Sequence, residues 1–215
     1  RSYQYLQNLG CRAPLALAAD PAFVVQASQS NIAESFLSKR TENWAINLSP
    51  LCIAHAAGFE TPSYSNKKTE LFNSIKKVML HRDVRLILVP HVVNSNEIEN
   101  DDYRFLNELK IFLGDEERCV LLPPDLGFQN TKSVISKCDI AVAARMHFGV
   151  SAVSAGVPTL FIRYSIKSIG MAEKVYGDSD WCVDIEQIDG NLFCEKLLEM
   201  DRAKNTIRDQ IKLKL

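Results

Sequence analysis

From Trp44 onward, short apolar runs alternate with longer stretches in which apolar residues recur at helical spacing. The runs WAINLS (44–49), RLILVPHV (85–92), CVLLP (119–123), IAVAA (140–144), TLFIRY (159–164) and WCVDI (181–185) predict strands. Between them the pattern predicts helices over about 66–80, 101–113, 131–137, 146–155 and 169–176, with further helices at the C-terminus. The strand runs are almost continuously apolar, as expected when both faces of a sheet are covered. Repeated strand–helix alternation therefore predicts an α/β, Rossmann-like domain with a parallel sheet over residues 44–215. Residues 15–19 predict one more strand, ending at Asp20–Phe23 (DPAF), and the polar stretch from 28 to 43 reads as a linker or surface helix. The chain starts in what reads as the middle of a helix, so residues 1–27 are expected to be the tail end of an N-terminal domain whose remainder is missing.

Composition changes this picture little. With 47% hydrophobic and 24% charged residues the chain can bury a sizeable core. A net charge of −1 with dispersed Lys and Arg argues against nucleic-acid binding, which needs a basic stripe. The six cysteines form no CxxC pair and most lie in apolar runs, which favours a reducing, cytoplasmic setting. The longest apolar region, 140–162, is interrupted by Arg145, His147, Gly156 and Pro158 and makes a poor membrane span. No cluster has metal-ligand spacing, and no glycine-rich phosphate loop is present.

In open parallel sheets, ligands bind beyond the carboxyl ends of the strands. The residues just past each predicted strand are therefore informative: Asn47 and Ser49, then His91, then Arg145 and His147, then Tyr164 and Lys167. Arg145 and His147 flank a helix start, where unpaired backbone N–H groups and the macrodipole favour an anion. An arginine there can grip phosphate or carboxylate bidentately, and Lys167 adds a point charge from the neighbouring strand end. A histidine at such a cationic helix start is expected to have a depressed pKa and to serve as acid or base. The plainer alternative is a packed histidine with one satisfied nitrogen. Asn47 and Ser49 have an equally plain reading as turn formers before Pro50. Tyr164 reads as a packing residue or a sugar contact, and His91 as a packing residue or a substrate contact.

The stretch CDIAVAARMHFGVSAVSAGVPTLFIRYSIKSIGMAEKVYG, Cys138 to Gly177, resembles the signature of the polysaccharide pyruvyltransferases. It has a strand ending in Arg-x-His, a small-residue helix with a Gly-Val-Pro exit, and a strand leading to Tyr-x-x-Lys. Weaker motifs match upstream in the same order, at Asp20–Phe23, Asn47–Pro50 and Pro90–His91. The resemblance implies the C-terminal half of a glycosyltransferase-B-like two-domain architecture. It implies transfer of pyruvate from phosphoenolpyruvate, the donor substrate, to two hydroxyls of a sugar or lipid-linked saccharide as a ketal, with no further cofactor. By the same resemblance His147 would be the acid–base group, and Arg145 and Lys167 would hold phosphate and carboxylate. Asn47, His91 and Tyr164 are the further candidate substrate contacts. A lipid-linked acceptor would bring the protein to the membrane surface without a transmembrane segment, and a homo-oligomer is compatible with the chain.

One departure stands out. Members of that family carry an arginine about three residues before a Ser-x-x-x-Leu; Ser2 and Leu6 match the latter, but Arg1 adjoins Ser2 and is not its equivalent. Two other readings compete: a nucleotide-sugar-dependent glycosyltransferase, with Glu173 on a ribose, and a non-catalytic carbohydrate-binding subunit. His55 and His81 read as loop and helix-end residues, Asp20 as an organiser of an interdomain connection, and Glu99–Asp102 as an acidic helix start.

Overall fold

The computed structural model describes residues 2–214 apart from Leu17 and Ala19, with only the backbone of Ser2. Six strands form one parallel sheet: β1 (Glu42–Asn47), β2 (Val84–Leu88), β3 (Cys119–Leu121), β4 (Ile140–Ala143), β5 (Thr159–Arg163) and β6 (Cys182–Asp184). Their order is β3-β2-β1-β4-β5-β6. The chain thus builds outward from β1 in one direction, then crosses to β4 and builds the other way. The reversal leaves a crevice between the carboxyl ends of β1 and β4, where a doubly wound sheet binds its ligands.

The helices are α1 (Ser2–Asn8), α2 (Pro50–Ala57), α3 (Pro62–His81), α4 (Asp102–Leu113), α5 (Phe128–Ile135), α6 (Met146–Ser154), α7 (Ile166–Tyr176) and α8 (Leu192–Lys214). The predicted α/β sheet is present, and all four residues of β4 are buried, as a strand covered on both faces requires. Trp44, Leu86, Val142 and Leu160 lie in the core with Phe148 of α6 and Phe193 of α8. Of the six cysteines, Cys52, Cys119, Cys138 and Cys194 are buried and none is paired. Among the described residues no helix is long and apolar enough to cross a membrane.

Several elements differ from the sequence expectation. Helix α2 occupies a stretch expected to be loop, although Ser49 caps it by accepting from Leu51 N–H and Pro50 occupies its first turn. Its apolar run LCIAHAA lacks the polar face that would have marked it. The stretch from 28 to 43, read as a linker or surface helix, holds a short 3₁₀ turn at Asn31–Ser35 and runs into β1 at Glu42. Of the strand expected at 15–19, Leu17 and Ala19 lie outside the described residues, and Leu15, Ala16 and Ala18 have no strand pairing. Arg1 also lies outside them. The expected C-terminal helices are one helix, α8.

The helix that carries the Arg-x-His pair sits unusually close to the sheet. A Cβ on Gly149 would come within 2.5 Å of the Phe161 ring on β5 and 3.2 Å of the Ala143 Cβ on β4. Gly149 thus lets α6 approach β4 and β5 with no intervening side chain, which fixes its N-terminus relative to the strand ends. Beyond Ala155 the chain turns through Gly156 at a φ of 76°, a left-handed position that favours glycine.

Candidate active site

Asn47 ends β1 at the reversal of strand order and is wholly buried. Its side-chain Nδ2 donates to Val89 O at 2.9 Å, and its Oδ1 accepts from Arg145 N–H at 2.8 Å. One amide therefore ties together the ends of β1, β2 and β4. The expected contact with substrate is not what this side chain makes: donor and acceptor are both engaged within the chain, behind the rim. Ser49 likewise acts as the cap of α2.

Arg145 also differs from expectation. Its side chain is 10% exposed and forms an ion pair with Asp102, the first residue of α4, whose carboxylate is fully buried. Arg145 Nε lies 3.1 Å from Asp102 Oδ1 and 3.2 Å from Oδ2, and Nη2 lies 2.9 Å from Oδ1. Nη2 also donates to Asn100 Oδ1 at 2.7 Å. The same carboxylate accepts from the backbone N–H groups of His91 at 3.3 Å and Val92 at 3.1 Å. Asp102 thus holds Arg145 and the loop after β2 in one network. A guanidinium paired in this way adds little net positive charge to the cleft. Arg145, expected to hold an anion, thus lines the cleft with its guanidinium already paired.

Above this network lies a cavity of about 320 Å³ lined by His91, Arg145, His147, Tyr164, Ser165 and Lys167, among others. Five of the six candidates therefore converge, at one end of the sheet, and only Asn47 stands behind them. The His91 and His147 rings stack with centroids 6.2 Å apart and planes 23° from parallel. His147 is the exposed member, with 60% of its side chain accessible, and its Nε2 lies 3.6 Å from Asp20 Oδ2. Asp20 caps the 3₁₀ turn Pro21–Phe23 by accepting from Ala22 N–H, so the DPAF motif brings a carboxylate onto the rim.

Two helix starts point into the cavity. Arg145 precedes α6 and Ser165 precedes α7, and neither helix has a side-chain cap, whereas Ser49 and Thr61 cap α2 and α3. Helix α5, which starts at Gly127 away from the cavity, is uncapped too. The first N–H groups of α6 and α7, with exposed Lys167 in the first turn of α7, suit a multiply charged anion.

Burial holds His91 below the ordinary imidazole pKa; His147 and Arg145 push the same way, and the Asp102 carboxylate opposes them. Burial chiefly raises the Tyr164 phenol, so it stays protonated near neutral pH. The nearby Arg145 guanidinium acts in the opposite direction. The cleft can therefore offer neutral donors, a cation and an exposed imidazole to one ligand.

A family model described as polysaccharide pyruvyl transferase matches residues 1–166. The chain belongs to this family of transferases. The match spans the DPAF turn, Asn47, His91 and the Arg145–His147 pair, and stops one residue short of Lys167. A comparison with curated proteins returns no match. Among solved structures, the chain is similar to a protein from Listeria monocytogenes described as a UDP-N-acetylglucosamine 2-epimerase, with 14% identity and a TM-score of 0.59. It covers 98% of this chain and 51% of that one. An α,α-trehalose-phosphate synthase (UDP-forming) from Burkholderia xenovorans matches with 11% identity and a TM-score of 0.53, over 85% of this chain and 41% of that one. At such identities the likeness shows the fold alone, a Rossmann-like parallel sheet covered by helices. The chain spans about half the length of these structures, or less. Glu173, the candidate for a ribose contact, is exposed on α7 and lines neither cavity at the strand ends.

Sequence reasoning missed Asp102 and Asn100. The acidic run Glu99–Asp102 does start a helix, with Asp101 as its cap accepting from Tyr103 and Arg104 N–H. That reading accounts for Asp101 and hides its neighbour: the partner of Asp102 lies 43 positions away, just past β4 at the start of α6.

Proposed function

We propose that the protein transfers pyruvate from phosphoenolpyruvate to two hydroxyls of a sugar, forming a ketal and releasing phosphate. The observation that carries this reading is the convergence, in a member of this family, of His147, Lys167 and two uncapped helix starts on one cavity.

In this scheme Lys167 and the N–H groups of α6 and α7 hold the phosphate and carboxylate, and Tyr164 donates to the donor's oxygens. The methylene carbon of the enol takes a proton, leaving an electron-poor carbon that one sugar hydroxyl attacks as it loses its own proton. The C–O bond to phosphate breaks, phosphate departs with one proton, and the second hydroxyl closes the ketal. Two protons leave the sugar; one ends on the new methyl group and one on phosphate. His147 is the exchanger, because it is exposed at the cavity mouth with its Nε2 3.6 Å from the Asp20 carboxylate, within reach of a ligand in the cavity. The Arg145–Asp102 pair acts beneath it, setting the rim's shape while adding little net charge.

Phosphate release from phosphoenolpyruvate, measured against a panel of free and lipid-linked saccharides, tests the reading. Release that depends on the saccharide, with a ketal methyl signal in the product's NMR spectrum, is expected. Lys167→Ala should weaken phosphoenolpyruvate binding by about 1.5–3 kcal/mol, the value of a hydrogen bond to a charged group. A chain that binds no phosphoenolpyruvate and releases no phosphate with any acceptor refutes it.

A further inference from the structure

A second cavity, of about 380 Å³, adjoins the first at the carboxyl ends of β5 and β6. Tyr164 and Ser165 line both and form the wall between them. Its floor is Arg163 beside Asp184, which face each other in register across β5 and β6 and form an ion pair. Asp184 Oδ1 also accepts from Glu186 N–H at 3.0 Å, which turns the chain so that exposed Glu186 borders the opening. Ile166, Ile169 and Ile185 supply the apolar surface. The His55 ring meets Tyr164 edge to face, with centroids 6.0 Å apart.

The two cavities differ in charge. The second is lined by one cation, Arg163, against two carboxylates, Asp184 and Glu186. The first is lined by Lys167, by the Arg145 guanidinium that Asp102 already pairs, and by two helix starts without side-chain caps, with the Asp20 carboxylate only at its rim beside His147. A multiply charged phosphate is drawn to the first and discouraged by the second. The second combines apolar and aromatic surface with the paired Arg163 and Asp184 and the exposed Glu186 around a space of ligand size. That is the chemistry of a pyranose: C–H faces lie on apolar walls while hydroxyls bond planar charged groups.

Given the pyruvyl-transfer reading, on which this rests, we propose that the second cavity is the subsite for the hexose ring of the acceptor. Tyr164 and Ser165 are its boundary with the donor, and the reacting hydroxyls reach the donor past them. The Tyr164 phenol, which lines both cavities and stays protonated near neutral pH, serves as a donor to oxygens on either side.

Methyl NMR separates the two cavities, because the second is lined by Ile166, Ile169 and Ile185 and the first by Met146 and no isoleucine. The chain is labelled at isoleucine and methionine methyls and titrated with glucose, galactose, mannose and their N-acetylamino forms. At least one sugar is expected to shift Ile169 and Ile185 and leave Met146 in place, while phosphoenolpyruvate shifts Met146, and Ile166 at the start of α7, but neither Ile169 nor Ile185. Glu186→Gln, at an exposed position outside the core, should raise the sugar midpoint roughly tenfold with an unchanged melting temperature. The proposal is overturned if no sugar moves Ile169 and Ile185, if phosphoenolpyruvate moves them, or if their response is the same in Glu186→Gln. Failure of the pyruvyl-transfer reading has a different signature: Met146 unmoved by phosphoenolpyruvate and no phosphate released, with the isoleucine response to sugar still deciding the second cavity on its own.

Discussion

Arg145 and His147 are two residues apart, yet the structure treats them in opposite ways. Arg145, with Asp102 and Asn47, belongs to a buried layer in which the polar groups are joined within the chain. His147 and Lys167 belong to an exposed layer directly above it, on two helix starts without side-chain caps. A buried charge is tolerated only when paired and hydrogen-bonded, so the lower layer is committed to holding the strand ends together. The upper layer keeps its hydrogen-bonding capacity for a ligand. Chemistry therefore belongs with the side chains above, and shape with those below.

Three measurements can break or sharpen this contrast. The largest effect is expected at His147. His147→Gln keeps hydrogen bonding but exchanges no proton near neutrality, so turnover should fall by roughly 10²–10⁴-fold. Phosphoenolpyruvate affinity and melting temperature should stay close to wild type, because the side chain is exposed. A variant that melts early while keeping its turnover per folded molecule would move His147 to the lower layer.

Next comes the ion pair itself. Asp102→Ala leaves a buried guanidinium uncompensated and should cost about 3–5 kcal/mol of stability in urea denaturation. Asp102→Asn keeps an acceptor for the His91 and Val92 N–H groups and should cost clearly less. Equal losses in the two variants would show that Asp102 acts through packing and not through charge.

The smallest effect concerns His91, which lies between the layers. Its native pKa is below the ordinary 6.5, chiefly because of burial. As pH falls through that value the unfolded chain takes up a proton first, so the stability present above it is lost as pH drops toward the native pKa. Denaturation at about pH 7.5 and about pH 5.5 should show a smaller acid loss in His91→Gln than in the parent. An identical pH dependence would mean that His91 is not the group responsible.

The order of strands and helices was legible because it rests on local rules. Apolar runs with no polar alternation marked the buried strands, and Gly156 and Pro158 marked where α6 stops and β5 begins. The candidate residues were legible for the same reason: a residue just past the end of a parallel strand lies at the binding rim whatever its neighbours are. Helix α2 escaped because a helix apolar all round has no period that separates it from a buried loop.

The chain by itself therefore determined that His91, Arg145, His147, Tyr164 and Lys167 meet at one end of a parallel sheet. It did not determine which of them would face a ligand. That was decided when α4 swung Asp102 against Arg145 and when β1 carried Asn47 beneath both. The physical reason is range. Strand and helix propensities act over a few residues, whereas Asn47 and Asp102 meet Arg145 across 98 and 43 positions of chain. The charge of a guanidinium can be read from its letter, but whether that charge is already cancelled depends on a partner only the folded sheet brings near.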